Sequence, residues 1–411
     1  MPFLLALPFL ALCVLSVAGA VYYAIVWLRV LHARRVLPRL RAALDSPPPA
    51  SWPSMCIVVP AHNEEDVIEG LARSLLAQDY PALRLVFALD RCTDDTERRL
   101  RAVLADNERA EVVTIDACPE GWAGKTHALH AGVTRSRGAA GAALLLFADA
   151  DTLFDPALCR AAVGTLVQRD LGLLSLLAEL SSDLWFERTV QPAAGFELIR
   201  QHPLDIVNRA SKPRAFANGQ FMLFRREVYD RLGGHALVKG ELLEDIAFAR
   251  HMNRRRKRDP ARWGVLMSDG LLACRMYRSW DAFQRGWKRI YTEAASRKPR
   301  RLTEWAIRQL VTGIALPGAA LASIGAGVAM LALPDRPLAL ALLLCGFASL
   351  LTTLLALTRV YRDQGLPARC ALTYPFGALW VARLMFRAAR DLRGGVATQW
   401  GGRSYTRPIK P

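Results

Sequence analysis

The chain has 411 residues, of which 52% are hydrophobic, and it carries a formal net charge of +17. It is too long for one minimal domain and too apolar for a disordered chain. The basic excess leaves two kinds of partner open, nucleic acid and the anionic surface of a membrane.

The basic residues favour the membrane. Residues 254–258 (RRRKR) form the best candidate patch for nucleic acid, but no helix-turn-helix, zinc-finger or RNA-binding signature is visible. The clusters at 29–41 and 297–301 instead lie beside apolar segments, where they meet lipid headgroups. We therefore predict a membrane partner and no nucleic acid.

Three uncharged segments, residues 1–28, 309–334 and 337–358, each exceed the roughly 20 residues that cross a bilayer. Small residues at 18–20 leave a cleavable signal peptide open, but no basic residue precedes the segment and the apolar run is too long. We predict a multi-pass protein of the cytoplasmic (inner) membrane, turned between its second and third spans at 334–337. The basic clusters place its soluble part in the cytoplasm.

The eight cysteines are scattered and form no C-x-x-C pair. Because a cytoplasmic domain keeps its thiols reduced, we expect neither disulfides nor a zinc site.

The soluble part begins after a basic, proline-rich linker at 31–53. Apolar runs predict strands at 55–60, 83–89, 111–115 and 142–147. Helical spacing predicts helices at 66–78, 125–136 and in a segment that ends at 107. Alternating strands and helices indicate a mostly parallel sheet covered on both faces. Ligands bind at the carboxyl ends of such strands, so residues 60–63, Asp90 and 149–151 should meet in one crevice.

Two carboxylates one residue apart follow the fourth predicted strand. Asp149 and Asp151 point to the same side if the chain stays extended, so they can converge on one hard cation. The natural partner of such an ion is a diphosphate. A solvated turn is the plainer interpretation of the triplet alone.

A family resemblance strengthens the cation interpretation. Six strings occur in order: VVPAHNEE, ALDRCTDDT, EGWAGKTHAL, FADAD, NGQFMLFRREVYDRLGGH and LLEDIAFAR. Together, over roughly residues 54–300, they resemble glycosyltransferase family 2 with the GT-A fold. The nearest likeness is to membrane-anchored members that glycosylate lipids and terpenoid lipids, including hopanoid- or carotenoid-associated ones. The string QWGGRSY at 399–405 resembles the W-x-G-R-x-Y ending of that subgroup.

The resemblance implies an α/β fold class: a GT-A (nucleotide-diphospho-sugar transferase) doubly wound, mostly parallel sheet, with one N-terminal and two to three C-terminal transmembrane helices. The predicted segments are a transmembrane helix (1–30), the linker (31–53), a GT-A catalytic domain (54–278), an interfacial amphipathic helix (279–303), a membrane region (304–392) and a basic tail (393–411).

The resemblance also assigns a donor site. The residues that it places on the nucleotide-sugar are Pro60, Ala61, Asn63, Glu64, Asp90, Lys125 and Asp149. It places Mg²⁺ or Mn²⁺ on Asp151 and Asp149, without dividing ribose from ion contact between them. The chain has Leu89 where many members have Asp and Arg91 where many have Gly, so the details of base and ribose contact stay open.

The catalytic base implied by the resemblance is Asp245, with Glu244 as support or as the base in another register. An acceptor hydroxyl needs such a carboxylate, and transfer would invert the anomeric centre. Two acids in the first turn also suit the helix dipole, which is a purely structural explanation. Gly219 and Gln220 would form the floor on the acceptor side. Many members carry Q-x-x-R-W on a closing helix, but the string QRGWKR at 284–289 does not match that spacing.

Residues 370–382 are uncharged but short for a span, and Arg383, Arg387 and Arg390 follow on one helix face. A fourth span, an interfacial helix and a re-entrant segment all remain open. The positive-inside bias favours a cytoplasmic tail.

Three functions compete at this stage. The first is metal-dependent transfer of a sugar, of the hexosyl type, from a nucleotide donor (UDP-linked in our prediction) to a lipid acceptor. The second is a processive polysaccharide synthase of the same family, for which three or four spans are few. The third is a membrane-tethered binding protein with a dead transfer site, although its acids are all present.

Overall fold

A computed structural model describes residues 3–47, 49, 51–259, 261–332, 335–406 and 409. Parts of the predicted first span (1–2), linker (48 and 50), catalytic domain (260), second span and turn (333–334) and tail (407–408 and 410–411) lie outside the described residues.

The α-helices are α1 (Phe3–Val36), α2 (Ile68–Leu76), α3 (Thr96–Leu104), α4 (Gly124–Arg135), α5 (Arg137–Ala140), α6 (Leu158–Gln168), α7 (Trp185–Thr189), α8 (Gln191–Gln201), α9 (Leu204–Val207), α10 (Arg226–Leu232), α11 (Glu244–Arg255), α12 (Trp280–Ala294), α13 (Pro299–Leu310), α14 (Leu316–Met330), α15 (Arg336–Asp363) and α16 (Tyr374–Arg393). The strands are β1 (Met55–Ala61), β2 (Leu83–Asp90), β3 (Ala110–Ile115), β4 (Leu144–Ala148), β5 (Thr152–Phe154), β6 (Leu173–Leu177), β7 (Glu179–Leu180), β8 (Phe221–Arg225), β9 (Trp263–Met267), β10 (Leu272–Cys274), β11 (Thr398–Trp400) and β12 (Arg403–Tyr405).

A seven-stranded sheet forms the centre of the soluble part, in the order β3-β2-β1-β4-β8-β6-β9. All neighbours pair in parallel except β8, which runs antiparallel to β4 and β6. Every residue of β4 is buried, as expected of a strand covered by helices on both faces. The predicted α/β class with a mostly parallel sheet is confirmed. The ends of β1, β2 and β4 therefore lie side by side.

Among the residues that the structure describes, three helical segments are long and apolar enough to cross a membrane: Leu7–Leu44, Pro299–Met330 and Arg336–Asp363. This confirms one N-terminal and two C-terminal candidate spans. They pack through small residues, since a Cβ on Gly346 would lie 2.8 Å from the Ala320 carbonyl oxygen. The Ser16 and Ser323 hydroxyls also hydrogen-bond at 2.9 Å.

A single π-helical turn, Val311–Ala315, joins α13 to α14 within the second candidate span. At this turn the Tyr23 hydroxyl of α1 donates to the Thr312 carbonyl at 2.6 Å. The fully buried Glu197 of α8 accepts from Arg308 Nη2 at 3.0 Å and also pairs with Arg200. These bonds connect the bundle of candidate membrane-spanning helices (α1, α13–α14 and α15) to the catalytic domain.

Helices α12 and α16 pack on each other, α16 packs on α7 and α8, and the Tyr291 hydroxyl of α12 donates to the Ala194 carbonyl of α8 at 3.1 Å. Trp287 of α12, in the segment for which the sequence suggested a membrane interface, is only 3% exposed. In α16, a Cβ on Gly377 would lie 2.3 Å from the Thr189 carbonyl oxygen of α7, so the two backbones touch closely. Helix α16 covers the segment whose topology was open, and it is not among the three candidate spans.

Candidate functional site

The acidic pair follows β4 directly. Because β4 is buried on both faces, it delivers Asp149 and Asp151 to the sheet edge where β1 and β2 also end. The Thr152 hydroxyl donates to the Asp149 carbonyl at 2.7 Å, and the Arg275 amide donates to the Asp151 carbonyl at 3.0 Å. The turn that carries both carboxylates is therefore held by the Thr152 side chain and by the backbone of the residue that follows β10.

Lys125, at the start of α4, lies between two acids. Its Nζ is 2.6 Å from Asp149 Oδ1 and 2.6 Å from Glu244 Oε1. Burial opposes the charge on this ammonium, but the two carboxylates outweigh it and raise the pKa of Lys125 above its ordinary value. The lysine therefore joins the acids after β4 to those that open α11.

Asp245 is held by two backbone amides. Gly219 N donates to Asp245 Oδ2 at 2.8 Å, and Ile246 N donates to Oδ1 at 2.7 Å. A Cβ on Gly219 would lie 3.0 Å from Lys125 Nζ and 3.2 Å from Glu244 Oε1. Glycine at 219 therefore lets backbone form the floor between the two acidic pairs.

Burial and mutual repulsion raise the pKa values of three acids in the site. Burial and then Asp149 raise the pKa of Asp151 to about 7. Burial and then Glu244 raise the pKa of Asp245 to about 7. Burial, followed by Asp151 and Asp149, raises the pKa of Glu64 to about 8. The charged forms of these carboxylates are therefore disfavoured unless a counter-charge is present, and a bound cation would stabilise them.

The residues fit a divalent ion that shares its ligands with a substrate. Asp151 Oδ1 is buried and accepts no hydrogen bond from the described residues. No group of three or more His, Cys, Asp or Glu side chains suited to a metal ion is found in the described part of the chain. Mg²⁺ commonly binds through one or two carboxylates plus substrate phosphates, which matches this donor set.

Asp90, at the end of β2, is bound by its neighbour. Arg91 donates to both carboxylate oxygens, from Nε at 2.8 Å and from Nη2 at 2.6 Å. His62 Nδ1 donates to the Asp90 carbonyl at 2.6 Å. Asn63, at a positive φ of 58°, accepts from the Thr93 amide at 2.8 Å. The loops after β1 and β2 therefore brace each other.

One cavity of about 1350 Å³ brings nearly the whole predicted site together. The predicted residues that line it are Pro60, Ala61, Glu64, Asp90, Lys125, Asp149, Asp151, Gly219, Gln220, Glu244 and Asp245. Asn63 is not among the lining residues, and its side chain is bonded to Thr93 instead. Gln220 faces Cys274, to whose Sγ its Nε2 donates at 3.1 Å.

Sequence reasoning missed the basic side of this cavity. Arg289 and Trp287 of α12 line it, and Arg289 Nε and Trp287 Nε1 are buried donors without an acceptor among the described residues. Trp400 covers Arg289, with the guanidinium carbon 4.3 Å from a ring centroid. Both lie in strings that the sequence singled out, but their spacing did not reveal that α12 and the tail reach the acids.

The cavity continues toward the membrane helices. Its walls there are Leu37, which follows α1, and apolar side chains of α1, α8 and α15, namely Val26, Val30, Phe196, Leu198, Ile199 and Val360. Arginines are spaced among them: Arg29, Arg34, Arg200, Arg359 and Arg362. An amphiphile whose tail stays among the spans could therefore place its polar end at Asp245.

Comparison with known proteins agrees with this geometry. The model of the family described as "Glycosyltransferase like family 2" matches residues 53–292. A 4,4'-diaponeurosporenoate glycosyltransferase of Staphylococcus aureus (strain USA300) is 28% identical over 261 residues, which cover 61% of this chain and 64% of that protein. The chain thus spans less than two thirds of the length of this relative.

Two solved structures resemble the fold at low identity. Mannosyltransferase PcManGT from Pyrobaculum calidifontis, in complex with GDP-Man and Mn²⁺, is 18% identical, with 93% of this chain and 99% of that chain covered and a TM-score of 0.48. Glucosyl-3-phosphoglycerate synthase from Mycobacterium tuberculosis, with Mn²⁺, UDP and its product, is 21% identical, with 63% and 82% covered and a TM-score of 0.38.

Proposed function

Since the chain belongs to glycosyltransferase family 2, we propose that it transfers a sugar from a nucleotide-sugar to a lipid held in the membrane. The observation that carries this proposal is one cavity with acids at one end and membrane helices at the other. UDP-sugars are the donors that we test first.

The donor would bind along the ends of β1, β2 and β4. We assign the nucleoside to the loops at 60–64 and at Asp90, where Arg91 already occupies both carboxylate oxygens. A base that reaches Asp90 therefore has to share or displace that guanidinium. Two of the three N–H donors of Lys125 face Asp149 and Glu244, and we assign the third to a phosphate oxygen.

The diphosphate would lie between the acids and the basic side of the cavity. We assign the metal, Mg²⁺ or Mn²⁺, to Asp151 with Asp149 nearby, because Asp151 Oδ1 is a buried acceptor without a donor in the described chain. When bound, the ion supplies charge neutralisation for the leaving diphosphate. The unpartnered Nε of Arg289 is available on the opposite side for a second phosphate contact.

Asp245 would act as the general base. Its two backbone donors fix the carboxylate, and its pKa near 7 suits proton transfer at neutral pH. The acceptor hydroxyl oxygen attacks the anomeric carbon opposite the diphosphate, and its proton passes to Asp245. The bond from the anomeric carbon to the diphosphate breaks, and its electron pair leaves on the diphosphate oxygen. One displacement inverts the anomeric centre.

The acceptor would enter from the membrane. The apolar walls from α1, α8 and α15 suit a long hydrocarbon tail, and the relative named above acts on 4,4'-diaponeurosporenoate, a carotenoid-type lipid. We extend only the apolar, amphiphilic character of that acceptor to this chain and assign a hydroxyl as its attacking oxygen, since a carboxylate has no proton at neutral pH for Asp245 to take. The basic residues at 29–41 and 297–301 would place the catalytic domain on the cytoplasmic face.

The test uses the full chain in detergent with Mn²⁺ and a panel of UDP- and GDP-sugars. We expect nucleotide release from one donor, stimulation by a lipid extract, and a single glycolipid product. Chelation by EDTA should abolish release. A well-folded protein that releases nucleotide from none of the donors, with or without lipid, would contradict the proposal, and a polymeric product would replace it with a processive synthase.

A further inference from the structure

Residues 398–405 form a hairpin that packs against the catalytic domain. Strands β11 and β12 pair antiparallel, and Gly401 and Gly402 between them have φ of 55° and 68°. Positive φ at both central residues is typical of a tight type I′ turn, which favours glycine. The two glycines therefore favour this hairpin through the local sequence alone.

The outer strand rests on the loop that opens α4. Gly124 N donates to the Tyr405 hydroxyl at 3.1 Å, and Arg403 Nη1 donates to the Trp122 carbonyl at 3.4 Å. A Cβ added to Gly124 would lie 3.0 Å from Asp90 Oδ2 and 3.9 Å from the Tyr405 hydroxyl oxygen. Tyr405 thus lies beside the carboxylate that we assign to the nucleoside.

The tip of the hairpin reaches two further parts of the site. A Cβ on Gly402 would lie 3.0 Å from His62 Nε2, in the loop after β1. Trp400 packs on Arg289 at 4.3 Å, and Trp400 and Gly401 both line the cavity. The eight residues of the hairpin, 398–405, therefore contact three elements that are far apart in sequence: the loop after β1, the loop before α4, and α12.

We propose that this hairpin forms the outer wall of the donor site and that Trp400 is a positioning residue for the contact between Arg289 and the diphosphate. The ring holds the guanidinium by a cation–π contact while leaving its N–H groups for phosphate oxygens. The ligand class is a nucleoside diphosphate, free or sugar-linked. This inference rests on the proposed function, and it adds the C-terminal residues to the donor site.

Hydrogen exchange on the full chain in detergent distinguishes failure of the hairpin proposal from failure of the proposed function. With UDP or GDP and Mn²⁺, we expect slower exchange both at 144–154, beside the acids, and at 398–405. Protection at 144–154 with unchanged exchange at 398–405 would overturn the hairpin proposal and leave the proposed function standing. No protection in either segment with either nucleotide would overturn both.

Trp400→Leu removes the ring, and Trp400→Phe keeps an aromatic face over Arg289. For Leu we expect the donor KM to rise at least about fivefold while the acceptor KM stays within about twofold. The Phe variant should recover most of the loss. Trp185→Leu is the matched control, since Trp185 is 51% exposed and does not line the cavity. A wild-type donor KM in Trp400→Leu would overturn the positioning role.

Discussion

The two ends of the cavity are built in opposite ways. At the sheet edge, charged side chains are buried, and several are held by ion pairs or hydrogen bonds, as Lys125 is by Asp149 and Glu244. At the membrane end, apolar side chains of three helices form the wall, and its charges pair at the rim, as Arg34 does with Asp363 at 2.5 Å.

The difference indicates that the acidic end serves the chemistry and that the apolar end selects the ligand. Buried charges in fixed geometry are costly, and they cluster where chemistry needs them. An apolar wall with charges at its rim discriminates between ligands by size and shape. Small changes in the cavity volume therefore change ligand selectivity gradually. We expect substitutions at the acidic end to abolish transfer, and those at the membrane end to change which lipid is used.

Asp151→Asn should have the largest effect. It removes a charge from the proposed metal site, so we expect transfer to fall about 10³-fold or more and Mn²⁺ binding to be lost. Activity assays and calorimetric Mn²⁺ titration measure the two effects. Asp116→Asn is the control, because Asp116 also follows a strand but is exposed and does not line the cavity. Unchanged Mn²⁺ affinity in Asp151→Asn would contradict the metal assignment.

Asp245→Asn should follow, with kcat lower by roughly 10²- to 10⁴-fold and donor binding retained, because asparagine cannot take up the proton. Its amide nitrogen also cannot accept one of the two backbone N–H bonds that hold Asp245. The control is Asp230→Asn, an exposed residue on α10 that pairs with Arg226. Loss of donor affinity together with kcat would instead indicate a structural role for the carboxylate.

The pH profile tests the same residue in the unaltered chain. A base must be deprotonated, so kcat/KM should rise about tenfold per pH unit below about 7 and level off above it. Glu244 raises the pKa of Asp245, so Glu244→Gln should move this rise to lower pH. A flat profile between about pH 5.5 and 8.5 would argue against Asp245 as the base.

A bulky residue in the apolar wall should have a smaller and more selective effect. Val30→Trp narrows the cavity beside α1, and we expect kcat/KM for the lipid to fall about tenfold while donor hydrolysis without lipid is unchanged. Ile25→Trp on the same helix is the control, since Ile25 is 51% exposed and does not line the cavity. Equal effects of the two variants would mean that α1 does not contact the acceptor.

The rim ion pairs should matter least. Asp363→Asn removes the partner of Arg34 and Arg359, and we expect an acceptor KM within about threefold of the wild type, because exposed pairs contribute only about 0.2–1 kcal/mol. Glu304→Gln, which breaks an exposed pair with Arg300 away from the cavity, is the control for thermal unfolding. A tenfold change in acceptor KM would show that the rim selects the lipid head.

The sequence predicted what depends on local pattern. Strand β4 was expected at 142–147 and is found at Leu144–Ala148, because a continuous apolar run has few alternatives to a buried strand. Asp149 and Asp151 follow β4, and Glu244 and Asp245 open α11. Both pairs line the same cavity at one edge of the sheet. The family resemblance, rather than spacing, supplied the second pair.

Long-range packing lay beyond the pattern. The mixture of aromatic and basic residues in α12 suits a membrane surface, and only the fold shows that Trp287 packs inward and Arg289 lines the cavity. The contact of Tyr405 with Gly124 joins residues 281 positions apart, for which neither string carries a local signal. Asn63 is a second case, since its side chain accepts from the Thr93 amide, 30 positions away in the loop after β2, and does not line the cavity.

The π turn at Val311–Ala315 sets how α14 and the other membrane helices are rotated about the helix axis relative to α13 and the catalytic domain. Helix α13 packs on α16 below this turn, and α14 packs on α1 and α15 above it. One residue corresponds to about 100° of helix rotation. Deleting one residue at 311–315 would therefore rotate the membrane helices relative to the cavity without changing any residue that we assign to the donor. We expect such a deletion to keep donor hydrolysis and to lose transfer to the proposed lipid acceptor.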